Sequence, residues 1–175
     1  MRIQEPGVRS QNNHAAVFLL YSVFWLLYSH INLIRTSIMN YKLTDHTADL
    51  GIEVYGTGLR ELFENAGYAM FDVITDTNRL NALSETTLNI TGEDWPDLMV
   101  NWLRELLYLW TGKGLLVKIA DIVSISEYAL SANVKYEPYV PERHLIKSEL
   151  KAVTYHQIRV EQKDTTWEAG IIFDV

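Results

Sequence analysis

The 175-residue chain contains no cysteine. That excludes a disulfide framework, a thiolate metal site and a cysteine nucleophile, and it fits a reducing, cytoplasmic compartment. Signatures of several enzyme classes are missing too: there is no P-loop, no G-x-S-x-G elbow, no H-E-x-x-H helix and no phosphate-binding arginine pair. Internal repeats, heptads and low-complexity tracts are likewise absent. Positive charge is scarce. Arg2, Arg9 and Arg35 against Glu5 give residues 1–38 a net charge of +2, so the formal −7 of the chain leaves −9 on residues 39–175. A body this acidic repels phosphate backbones and gains nothing from counterion release, so direct high-affinity nucleic-acid binding is not expected, whereas a basic protein partner is.

Residues 15–34 lack any Asp, Glu, Lys or Arg, and Ala15–Tyr28 is nearly all apolar. As a helix, such a run spans roughly 30 Å, about one bilayer core. Ser22, Ser29, His30 and Asn32 dilute it, basic residues flank both sides, and no small-x-small cleavage site precedes Met39. Residues 1–38 are therefore expected to be a hydrophobic leader: a mis-assigned start upstream of Met39, a membrane anchor or a packed helix. Membrane attachment is expected only if residues 15–34 are a genuine anchor. Residues 39–175 have the length and apolar content of one self-sufficient domain.

Within that domain, Asp45-His46-Thr47-Ala48-Asp49 groups two carboxylates and an imidazole ahead of a β-like run in which Leu50, Ile52 and Val54 alternate with Gly51, Glu53 and Tyr55. Clustered carboxylates need a cation, a basic partner or ample water. After Gly56, Thr57 is the expected N-cap of a helix with Leu59, Leu62, Phe63, Ala66, Met70, Val73 and Ile74 on one face. Asp72 and Asp76 near its end are expected to be solvated or capping acids. Thr86–Thr91 reads as a strand, and Asp94-Trp95-Pro96-Asp97 as a helix start with an acid at the N-cap. That helix runs through Leu98, Trp102, Leu103, Leu106, Leu109 and Trp110 to Gly112 as its C′ stop, with Glu105 flanking the apolar face.

Beyond Gly114 the period changes to two. Leu116–Ile125 and Ala129–Tyr136 are expected to form a hairpin about Ser126–Tyr128, and Ser148–Val160 and Trp167–Val175 to be strands about the turn Gln162–Thr166. The order β-α-β-α-β-β-β-β predicts an α+β fold, two amphipathic helices packed on a mainly antiparallel β-sheet. The last strand places the Asp174 side chain beside the Val175 α-carboxylate. If it pairs beside the first strand or ends at its mouth, Asp49, Asp174 and the terminal carboxylate form an all-oxygen set that suits Ca²⁺, Mg²⁺ or Mn²⁺ better than Zn²⁺. The competing reading is a metal-dependent phosphodiesterase or other hydrolase with His46 as general base and Asp49 and Asp174 holding the ion.

The run YKLTDHTADLGIEVYG, the helix GLRELFENAGYAMFDVITD, the segment NWLRELLYLW and the close LKAVTYHQIRV with WEAGIIFDV resemble the archease family, in that order and over essentially all of residues 41–175. The combination of HTAD, KAVTYH and a terminal FDV carries the likeness. The resemblance implies an archease-like fold and a non-catalytic accessory protein, a chaperone of an RtcB-type GTP-dependent RNA ligase in tRNA splicing and RNA repair, which promotes ligase guanylylation and multiple turnover. It also implies a divalent cation, calcium in the first place, on Asp49, Asp174 and the Val175 carboxylate. Asp45 and His46 would sit beside that site, and Lys151 and His156 of KAVTYH would contact it or the ligase, a half-exposed strand lysine and a satisfied strand histidine being the plainer readings. The chain departs from the family pattern in its hydrophobic leader and in Lys135-Tyr136-Glu137-Pro138-Tyr139, where a glycine-containing loop is usual.

Overall fold

The computed structural model of the chain describes residues 40–45 and 49–175, with Asp45 described through its backbone alone. The leader over residues 1–38 and its anchor reading, and His46 of the acidic cluster, lie outside the described residues.

The first strands obey the alternation in the sequence. Tyr41–Asp45 (β1) and Leu50–Gly56 (β2) pair antiparallel, and Ile52 and Val54 point into the core. Leu59–Ile74 (α1) then buries Leu62, Phe63, Ala66, Met70, Val73 and Ile74, the face set by three- and four-residue spacing. Its N-cap is Gly58 rather than Thr57, and no side chain caps it. Thr57 instead uses both its N–H and its hydroxyl on the Glu61 carboxylate, which leans back from the first turn to receive them. Asp72 accepts from the Tyr41 hydroxyl at 2.6 Å, and Asp76 caps the 3₁₀ turn Thr77–Arg79 through the Asn78 N–H, so both acids have the local roles expected of them.

Ser84–Thr91 (β3) leads to Trp95–Thr111 (α2), whose N-cap Asp94 accepts from the Asp97 N–H at 2.8 Å with Pro96 in the first turn. Gly112 is the C-cap of α2 in ordinary right-handed geometry. The helix thus stops where the sequence implied, and the left-handed residue, Gly114 at φ 65°, follows in the turn that leads to β4. The two helices meet closely because Gly67 carries no side chain: a Cβ there would lie 2.9 Å from a Leu106 methyl. Above that contact the buried Trp102 indole donates to the Phe63 carbonyl at 3.0 Å.

Leu115–Ser126 (β4) and Ala129–Pro138 (β5) form the expected hairpin, with Glu127 and Tyr128 both at positive φ. Lys135–Pro138, the stretch that departs from the family pattern, therefore continues a strand and is not a loop. The span Ser148–Val160 is not one strand. It contains the two-residue Ala152–Val153 (β6), a turn with Gln157 at φ 52°, and the start of Arg159–Lys163 (β7). Thr166–Asp174 (β8) closes the described chain.

Two antiparallel sheets result where the sequence suggested one: β1-β2-β8-β6, with β7 also on β8, and β3-β5-β4. Both helices pack against strands of each sheet, α1 on β2, β8 and β4 and α2 on β3, β4, β6 and β7. The core lies between these layers around Trp102, Phe63, Phe71 and Phe173. Every residue of β8 from Ala169 to Phe173 is buried, as its unbroken apolar pattern requires of a central strand. Among the described residues no helix is long and apolar enough to cross a membrane.

Candidate metal-binding edge

β8 runs antiparallel between β2 and β6, and its register fixes what gathers at its end. Leu50 pairs with Phe173 on one side, while Val153 pairs with Phe173 and Ala152 with Asp174 on the other. One step beyond the Leu50–Phe173 pair, the same register sets Asp49, just ahead of β2, against Asp174. The two ends of the domain converge as the sequence required, and the side chains of Asp49 and Asp174 are both exposed. Asp45 pairs with Leu50 at the adjoining end of β1.

Lys151 ties the chain end down. Its N–H donates to the Asp174 carbonyl at 2.8 Å, and its ammonium donates to a Val175 oxygen at 2.8 Å. Of its two sequence readings, Lys151 thus takes the one beside the cluster. His156 does not follow it. It is exposed in the turn between β6 and β7, its N–H directed at the Thr154 hydroxyl at 3.3 Å, and no hydrogen bond or ion pair joins it to Asp49, Asp174 or Val175 among the described residues. It is neither a strand histidine nor a member of the cluster, because the chain turns at Tyr155–Gln157 instead of continuing β6. The neighbouring Tyr155 anchors that turn to α2: its hydroxyl donates to the Asp97 carboxylate, and the Arg104 guanidinium lies 4.7 Å over its ring. The Tyr155 hydrogen bond, helped by the Glu93 N–H, holds the Asp97 carboxyl below its usual range.

The donor set was compared with what a cation needs. Among the described residues no three His, Cys, Asp or Glu side chains are grouped as metal ligands. The donors expected from the sequence are the side-chain carboxylates of Asp49 and Asp174 and the main-chain carboxylate of Val175. An all-oxygen, anionic set on an exposed edge matches the chemistry of a hard divalent ion. The Lys151 ammonium meanwhile offsets one of the three negative charges.

Glu105 is an exposed residue of α2 far from this role in contact terms, lining instead a groove along β3 with Arg104 and Asn101. Sequence reasoning missed a buried polar cluster at the other end of β5. Glu137, 1 % exposed, accepts from the Asn81 N–H at 2.7 Å, from Arg143 at 2.7 Å through both oxygens, and from His144 at 3.2 Å. His144 accepts the Val140 N–H on Nδ1 at 3.0 Å, so its proton sits on Nε2 and points at Glu137. Burial pushes the Glu137 carboxyl up, but the Asn81 N–H and the Arg143 guanidinium outweigh it, and the group titrates below its ordinary value. No local pattern marked it, because by strand alternation Glu137 falls with Ser131, Asn133 and Lys135 on the polar face of β5.

Comparison with known proteins agrees with this architecture. The model of the Archease protein family (MTH1598/TM1083) matches residues 41–175. Protein archease of Methanosarcina mazei is 37 % identical over 139 residues, covering 77 % of this chain and 95 % of its own. Protein archease of Archaeoglobus fulgidus is 36 % identical over 137 residues, covering 78 % and 100 %. The solution structure of protein 1598 of Methanobacterium thermoautotrophicum superposes with a TM-score of 0.65 at 32 % identity, covering 79 % of this chain and 100 % of that one. A crystal structure from Thermotoga maritima, of an archease described as a possible chaperone, gives a TM-score of 0.52 at 21 % identity, a likeness of fold, covering 77 % and 96 %. With a family model spanning the whole described domain and relatives above 30 % identity over nearly their full length, the chain belongs to the archease family.

Proposed function

We propose that the chain is a non-catalytic accessory protein of an RtcB-type RNA ligase, a chaperone that promotes guanylylation and repeated turnover of that enzyme, and that it does so through a divalent cation held by Asp49, Asp174 and the Val175 carboxylate. Family membership supports the general role. The observation that carries the site is the pairing of β8 with β2, which brings the C-terminal acids to the head of the HTAD strand.

When bound, the cation supplies the positive charge that lets three carboxylates share one edge. The chain's own residues do the rest. β8 is buried from Ala169 to Phe173, so the terminal dipeptide is presented from a rigid base rather than a loose tail. Lys151 holds the Val175 carboxylate by one oxygen. The acidic surface around it, on a domain of net −9, favours docking against a basic site on the ligase. To stimulate the ligase the protein must bind its guanylylation-competent conformation more tightly than the other, because equal affinity shifts no equilibrium.

The test is a ligation assay with purified ligase, GTP and an excess of RNA. Wild-type protein is expected to raise both guanylylated ligase and the number of turnovers, and Asp49→Ala to abolish the stimulation while its circular dichroism and melting curve stay those of the wild type. Undiminished turnover with Asp49→Ala refutes the role of the edge.

A further inference from the structure

The buried Glu137–His144 cluster does more than join two loops. Burying a charged carboxylate at 1 % exposure is costly unless its partners are numerous and fixed, and here the partners fix one side chain that is not buried. Arg143 spends only Nη2 on Glu137, through both of its oxygens, and among the described residues no bond is made by its Nε or Nη1. Arg143 lines a pocket of about 260 Å³ together with Arg79, Lys147, Thr75, Asp76 and His144. No hydrogen bond or ion pair is made by the exposed Arg79 side chain among the described residues, and Lys147 is only loosely held, 3.6 Å from Asp72. On a domain that carries −9 overall, three cationic side chains converge on one concavity, two of them with most of their donors unspent. Asp76 is the one carboxylate in that lining, its Oδ1 accepting from the Asn78 N–H as the cap of the 3₁₀ turn, so three cations there face a single acid.

We propose that this pocket binds a phosphate group, either inorganic phosphate or the phosphomonoester of a small metabolite. A planar guanidinium fork pre-oriented by a buried carboxylate, with a second arginine and a lysine beside it, suits a tetrahedral dianion that takes charge-assisted hydrogen bonds from several sides; a single-charged carboxylate needs fewer donors. The site is separate from the acidic edge at Asp49 and Asp174, and its ligand is independent of the ligase role. No arginine pair is visible in the sequence because Arg79 and Arg143 lie 64 positions apart, their segments being joined by the Thr75–Ile146 bridge and by hydrogen bonds from the Thr75 hydroxyl to the Leu145 carbonyl and from the Lys147 N–H to the Ile74 carbonyl.

Nuclear magnetic resonance titration of the full chain at constant ionic strength tests this, with inorganic phosphate, adenosine monophosphate and acetate as probes. The expected result is saturable movement of the Arg79, His144 and Lys147 amides with phosphate or the monophosphate, and a dissociation constant raised about tenfold or more in Arg79→Gln and in Lys147→Gln. Tighter binding of the monophosphate assigns the site to a nucleoside phosphomonoester, and equal or weaker binding assigns it to free phosphate. Both variants alter exposed side chains, and unchanged melting curves without phosphate separate loss of binding from loss of fold. Absence of saturation, equal binding of acetate, or unaltered affinity in the variants overturns the proposal.

Discussion

Leu50 and Phe173 are cross-strand partners in the β2–β8 ladder, although 123 residues separate them in the chain. That pair sets Asp49 and Asp174 against each other one step beyond it. The acidic edge is therefore built by the same contact that closes the core, since the Phe173 ring is fully buried while the next residue is exposed.

Phe173→Ala consequently removes a core ring and loosens the support of the acidic edge together. Equilibrium urea unfolding should report a loss of about 3–5 kcal/mol, the range for a large aromatic side chain deleted from a close-packed interior. A loss below about 1 kcal/mol would mean that β8 is not packed as described.

Glu53 gives the domain a defined acid sensitivity. On the exposed face of β2 it accepts from Lys42 at 2.9 Å, from the Tyr55 hydroxyl at 2.9 Å and from Arg159 at 3.1 Å. The Lys42 and Tyr55 hydrogen bonds draw its carboxyl down from 4.5 to about 2. A carboxyl depressed by folding stabilises the native state above its unfolded value and loses that contribution as pH falls through the folded one. Between pH 4.5 and 2 the melting temperature of the wild type should fall more steeply than that of Glu53→Gln, and the two curves should converge at the acid end. Parallel curves would show that the carboxylate is not held by these partners.

Appending a single glycine after Val175 moves the α-carboxylate one residue away and leaves an amide carbonyl in its place. Val175 is 42 % exposed, so the fold should tolerate the addition, with a melting temperature unchanged within error. Stimulation of the ligase should nonetheless be lost. Full stimulation by the extended chain would exclude the terminal carboxylate from the site.

Much of this arrangement was legible along the chain because it rests on local periodicity. The apolar face of α1, the Asp94 cap of α2 and the burial of Ile171–Phe173 all follow from spacing within a few residues. What failed depends on partners distant in sequence. The Ser148–Val160 alternation looks like one strand, but Tyr155 is drawn to Asp97, 58 residues upstream, and the chain turns there, leaving His156 in solvent. Thr57 is the local exception, displaced from the N-cap because Glu61, four residues on, satisfies it from the first turn. The Glu137 cluster was invisible because Asn81, its closest backbone donor, lies 56 residues away. The convergence of Asp49 and Asp174 was legible because each sits at the boundary of a strongly patterned strand, and Lys151, beside Val175, was singled out by the motif around it.

Calcium binding measured by isothermal titration on the wild type, Asp49→Ala and Asp174→Ala tests the shared edge most directly. The wild type should bind about one ion per chain, and each substitution should weaken it by about tenfold or more, because each removes a charged oxygen donor from a small set. Calcium bound equally by all three proteins, or by none, would contradict a cation site joining the two ends of the domain.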